Sequence, residues 1–153
     1  MAYKKIKSYK MTEAELRQIW KEEYCDQEII TFDAVTVKFY EDMFDHAFYE
    51  SADNIEKDKS ILSYNRLEKI YWIKEVLQDP EAILKKGWDN YTKTVCDNRR
   101  VAMVKGNYIV VIRFTGLLKA KLITAFEMQD AEDIQKVLDG PDFVKTEVFF
   151  GKA

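Results

Sequence analysis

Three side chains in this 153-residue sequence combine a reactive type with an unusual setting: His46, Arg66 and Thr124. His46 is the only histidine, and it lies in "FYEDMFDHAFYE" among Phe39, Tyr40, Phe44, Phe48 and Tyr49. An imidazole titrates near neutral pH, at about 6.5 when unperturbed, so it suits general acid–base work. It equally suits a half-buried ring bonded to a backbone carbonyl. Arg66 falls inside the apolar stripe Leu67, Ile70, Tyr71, Ile73 and Leu77 when "SYNRLEKIYWIKEVLQDP" is projected as one helix. A guanidinium cannot shed its proton and must find acceptors. Those are met by a structural ion pair, by snorkelling at the helix start, or by a phosphate held in a cleft. Thr124 is the one hydroxyl in the alternating row Leu118, Ala120, Leu122, Phe126 and Met128, with Lys119, Lys121 and Ile123 on the other side. It reads as an ordinary strand residue or as a donor to a phosphate oxygen.

Several chemistries are excluded by what the sequence lacks. One imidazole cannot build a histidine metal site, and no calcium-loop pattern is present. There is no Walker A, G-x-G-x-x-G, G-x-S-x-G or H-E-x-x-H motif. No metal or other cofactor is expected. Cys25 and Cys96 have no metal-ligand spacing and read as free thiols of a reducing, cytoplasmic compartment. "MAYKKIKSYK" leads into no apolar segment, so no signal peptide is expected, and the longest aliphatic run, "IVVI", is too short for a bilayer. No membrane partner is expected. Net charge is −3, yet residues 85–121 hold nine basic side chains against only Asp89 and Asp97. Acidic blocks flank this stretch. A basic stripe can bind phosphate on a protein that is acidic overall, or it can be a solvated surface.

The elements that must position these groups follow from periodicity. Thr12 with Glu15 is a capping box, and Leu16, Ile19 and Trp20 continue it as a helix over 12–24. "EIITFDAVTVKFY" predicts one or two short strands, and residues 39–50 a short helix. "SADNIEKDKS" (51–60) reads as an exposed loop. Ser63 caps a long helix that Asp79-Pro80 stops, and "PEAILKKG" reads as a second, short helix. From Tyr91 the period becomes that of strands: "YTKTV", "RVAMVK", "NYIVVIRFT" and "LKAKLITAFEM", punctuated by Gly106-Asn107 and Thr115-Gly116. An acidic helix in "DAEDIQKVLDGP" and a last strand or tail in "FVKTEVFF" complete the chain. This order predicts an α+β fold, with N-terminal helices packed on one face of a small, roughly four-stranded antiparallel sheet.

The order of an "HAF" segment, "RLEKIYWIKEVLQDP", "YIVVIRF" and "KLITAF" resembles the phage- and mobile-element-associated (PBECR) branch of the barnase/EndoU/colicin/RelE-like nuclease superfamily. The resemblance covers residues 35–128, leaving 1–34 as a helical extension and 129–153 as a C-terminal helix and tail of one domain. It implies metal-independent RNA cleavage, with tRNA among the candidate substrates and His46, Arg66 and Thr124 as the catalytic positions. The 2′-OH of RNA would attack the phosphorus, with His46 moving protons, Arg66 binding phosphate and Thr124 orienting a non-bridging oxygen. Arg113, Lys119 and Lys121 would steer the RNA backbone. The second function class is a non-catalytic interaction domain on the same fold, suggested by the acidic ends, abundant aromatics and single histidine. Its partner would be a protein inhibitor or a phage protein.

Overall fold

The computed structural model describes residues 3–50, 61–86, 88–89, 94–95, 100–128 and 130–140. The side chains of His46, Tyr49, Glu50, Ile61, Lys86, Trp88, Asp89, Thr94 and Val95 lie outside that description. In chain order the elements are α1 (Glu13–Trp20), β1 (Ile29–Ile30), β2 (Thr36–Lys38), α2 (Met43–Phe48), β3 (Tyr49–Glu50), β4 (Ile61–Leu62), α3 (Tyr64–Leu67) and α4 (Trp72–Leu77). They continue with β5 (Ile83–Lys86), β6 (Trp88–Asp89), β7 (Thr94–Val95), β8 (Arg100–Lys105), β9 (Tyr108–Gly116), β10 (Lys119–Glu127) and α5 (Ala131–Asp139).

The fold is α+β, and its sheet is larger than a four-stranded antiparallel meander. Six strands run in the order β1-β2-β10-β9-β8-β5. The β8–β9–β10 meander is antiparallel, as its turns predict. β2 then pairs parallel to β10, Thr36 opposite Lys119, and brings β1 with it. A three-residue strand joined to a partner more than eighty residues away leaves no periodicity to read. On the other side "PEAILKKG" supplies β5 in place of the expected helix. Asp79 decides this locally. Its carboxylate accepts from the Glu81 N–H at 2.8 Å and its carbonyl from the Ala82 N–H at 3.1 Å, so the chain turns and Ile83 onward joins β8.

The Thr12–Glu15 capping box forms in both directions, at 2.9 and 3.1 Å, and α1 runs on through a π-helical turn over Lys21–Cys25. That extension buries Tyr24, and Tyr24 explains why the long helix expected from Ser63 to Asp79 is broken into α3 and α4. Its hydroxyl donates to the Ile70 carbonyl at 2.5 Å and accepts from the Lys74 N–H at 3.1 Å. Lys74 N–H to Ile70 C=O is the bond an uninterrupted helix would make. A phenol inserted into that step opens the ladder.

The core has two parts, one on each face of the sheet. The larger joins Leu16, Trp20, Phe44, Phe48, Leu67, Ile70 and Ile73 to Val101, Met103, Val110, Ile112 and Ala120. The aromatics around His46 belong here: Trp20 lies 5.5 Å from Phe39 and 5.4 Å from Phe48, ring centre to ring centre. The smaller packs Val137 of α5, with Ile134 and Leu138, on Ala102, Val104, Ile109, Val111 and Phe126. Helices therefore cover both faces. Gly106 takes φ 62° in the β8–β9 turn, where a residue without Cβ is unstrained. The expected Thr115-Gly116 turn comes later: β9 extends through Gly116, and Leu118 at φ 55° makes the reversal. The 51–60 loop, the "FVKTEVFF" segment and the first part of "YTKTV" lie outside the described residues.

Candidate functional site

A cavity of about 170 Å³ opens where α3 meets the start of β9 and the end of β10. Ser63 fixes its helical wall, because its hydroxyl caps α3 by accepting the Arg66 N–H at 3.3 Å. Past that cap, Arg66 and Lys69 both reach the cavity, while Phe48 closes one side. Tyr108, Ala125 and Glu127 come from the sheet. Ligand pockets for drug-sized molecules run to about 300–1,000 Å³, so this one has room for only a small molecule or one group of a larger one.

The two cations play different parts. Lys69 is only 2% exposed, a position that demands compensation. Its ammonium has it: Asn65 Oδ1 at 3.0 Å, the Asn65 carbonyl at 3.3 Å, and the Glu68 and Glu127 carboxylates at 3.5 Å each. Arg66 is half-buried and has no ion pair among the described residues; its guanidinium makes one long contact, Nη1 to the Ala47 carbonyl at 3.5 Å. Most of its five donors thus have no acceptor among the described residues. Beside it, burial pushes the Tyr108 hydroxyl well above the ordinary phenol range, against a downward pull from Arg66 and with an upward one from Glu127. Tyr108 is therefore an O–H donor at any physiological pH, and among the described residues that O–H has no hydrogen-bond partner.

The expected catalytic positions divide. His46 and Arg66 converge along the backbone, since Ala47, whose carbonyl accepts from Arg66, is the residue after His46 in α2. The His46 side chain lies outside the described residues. Thr124 goes elsewhere. The register between β10 and β9 slips between Leu122 and Thr124, placing Leu122 opposite Ile112 and Thr124 opposite Val111. One extra residue, Ile123, is accommodated, and the strand's alternation reverses. Ala120 and Leu122 face the larger core, whereas Phe126 and Met128 face α5, so the single row predicted from Leu118 to Met128 is split between the two faces. Thr124 shares the α5 face with Val111 and does not line the Arg66 cavity. Arg113, Lys119 and Lys121 also stand apart from it, on that same face and toward the opposite end of β10.

Sequence reasoning missed Lys69, Tyr108 and Glu127. One signal was available: Lys69 lies three residues after Arg66, the spacing that puts two side chains on one helical flank. Among the described residues, no group of three or more His, Cys, Asp or Glu is arranged to hold a metal, and no helix is long and apolar enough to cross a membrane. No known protein family, curated protein or solved structure matches the chain.

Proposed function

We propose that the Arg66 cavity holds one phosphodiester of an RNA chain and that the protein is a metal-independent, ribonuclease-like effector of a phage or mobile element. The observation that carries this is the Arg66 guanidinium, without an ion pair among the described residues, beside a protonated Tyr108 hydroxyl and next to the helix that bears His46. In this reading the 2′-oxygen of RNA forms a bond to phosphorus and the P–O5′ bond breaks, leaving a cyclic phosphate and a 5′-hydroxyl. Arg66 and Tyr108 donate to the non-bridging oxygens, whose charge grows in the transition state. His46 is one proton carrier. Glu127, a carboxylate in the cavity wall, is the candidate for the second, which the lone histidine left without an owner. The purified protein should cut tRNA or total RNA in EDTA and leave cyclic-phosphate ends, and its expression should be toxic in a way that His46→Ala relieves. RNA left intact, or cut equally by His46→Ala, would remove the enzymatic reading.

The alternative is a non-catalytic protein-interaction domain, favoured by apolar side chains on both outermost strands of the main sheet. Ile30 on β1 is 41% exposed and Ile83 on β5 is 47% exposed. Outer strands with exposed apolar residues invite pairing with another chain. A bound inhibitor or phage protein would protect these strands from hydrogen exchange; unchanged exchange on addition of the captured partner would rule this out.

A further inference from the structure

Four cations stand in one register row across four adjacent strands. Lys38 of β2 lies opposite Lys121 of β10, Lys121 opposite Arg113 of β9, and Arg113 opposite Arg100 of β8. Their in-line neighbours Val37, Ala120, Ile112 and Val101 point into the larger core, so the row occupies the other face, beside the patch that α5 covers. Strands are spaced about 4.8 Å apart, so the row spans roughly 14 Å. Exposed Lys119, two residues from Lys121, extends it.

Like charges directly opposite each other destabilise a sheet, and here three successive cross-strand pairs are like-charged. Among the described residues, Lys38, Lys119, Lys121 and Arg100 have no ion-pair partner, and Arg100 Nε is buried with no hydrogen-bond acceptor at all. Three of the four cations in the row, Lys38, Lys121 and Arg100, thus have no ion pair among the described residues, on a protein whose net charge is −3. Tyr40, half exposed and two residues beyond Lys38, adds an aromatic ring of the kind on which unpaired bases stack.

We infer that this row is a docking surface for the backbone of a single-stranded nucleic acid, separate from the Arg66 cavity and on the opposite face of the sheet. The inference does not depend on cleavage. A DNA strand has no 2′-hydroxyl and cannot be cut by the proposed route, so its binding reads the row alone.

The test is fluorescence anisotropy of labelled oligo(dT) with the full chain between 25 and 200 mM NaCl. Neutralising about four phosphates gives a slope of log K against log salt near −3, at about −0.7 per contact for single strands. Lys38→Gln with Lys121→Gln should reduce the steepness by about 1.4 and weaken binding at least tenfold at 25 mM. Lys5→Gln with Lys10→Gln, outside the row, should leave both quantities unchanged. Because the row variants remove repulsion, their melting temperatures should equal or exceed that of the parent, so lost binding is not lost folding. No binding at 25 mM, a slope untouched by the row variants, or displacement by poly-glutamate as effective as by poly(dT) would overturn the proposal, the last by pointing to an acidic protein.

Discussion

Tyr24→Phe removes one oxygen from the point where the helix between Ser63 and Asp79 breaks. The ring is fully buried between Trp20 and Phe39, with centroids at 4.7 and 4.8 Å, so phenylalanine keeps the packing. What goes is a hydroxyl that serves two main-chain groups, the Ile70 carbonyl and the Lys74 N–H. Each buried group left unsatisfied costs about 1–3 kcal/mol. Part of that is recovered if the chain relaxes toward the direct Lys74–Ile70 bond, so the expected loss is about 2–4 kcal/mol. For a chain of this length that lowers the melting temperature by about 4–16 °C. Urea unfolding should show a reduced midpoint with an unchanged m-value, since the surface exposed on unfolding is the same. RNA cleavage should fall as well, because the break in this helix sets where Arg66 and Lys69 stand. A stability change under about 0.5 kcal/mol would refute the idea that the hydroxyl holds the break open.

Three further predictions test separate parts of the structure. Thr124→Val should leave cleavage within about twofold of the parent, since the β10 irregularity puts Thr124 on the α5 face; a loss of about a hundredfold, the scale expected for a group that assists the reaction, would return it to the site. Burial, aided by Glu41 and Asp26, pushes the Cys25 thiol up to about 11 from 9.0. In a Cys96→Ser background, iodoacetamide at pH 8 should therefore react about a hundredfold more slowly than with an unperturbed thiol, and a rate within about threefold of the latter would contradict this. The Asp79 carboxyl is held below its usual 3.8 by the Glu81 N–H, the Tyr3 hydroxyl and Lys105. A depressed carboxyl stabilises the fold above its unfolded-state value and loses that contribution as pH falls through the folded one, so Asp79→Asn should flatten the decline in stability below about pH 4. Parallel acid limbs for the two proteins would show that Asp79 contributes nothing there.

The parts of the fold legible in the sequence are those fixed by neighbours. Thr12 and Glu15 announced α1, Ser63 announced the start of α3, and alternation with Gly106 announced the β8–β9 hairpin. The parts that stayed hidden depend on distant residues. Nothing within "RLEKIYWIKEVLQDP" tells that a phenol 46 residues upstream will enter the helix at Ile70. Nothing in "LKAKLITAFEM" marks the irregularity at Ile123, so an unbroken count of two joins Thr124 to Ala120 and Leu122 as well as to Phe126 and Met128. The site behaved the same way. Arg66 stood out because a guanidinium in an apolar stripe violates a local rule. Tyr108 and Glu127 violate none, and become candidates only when β9 and β10 carry them to Arg66. The basic stripe was visible as composition; its alignment into one row across four strands, including Lys38 from outside the stripe, needed the register.

Single-turnover cleavage of a labelled RNA oligonucleotide in EDTA, parent against Arg66→Ala, reads whether this guanidinium acts on an RNA phosphate. Loss of a donor aimed at developing phosphate charge predicts a rate lower by about 10²–10³, with the variant still folded by its melting curve. Equal rates for the two proteins, or no cleavage by the parent at any concentration, would contradict the assignment of this cavity to an RNA phosphodiester.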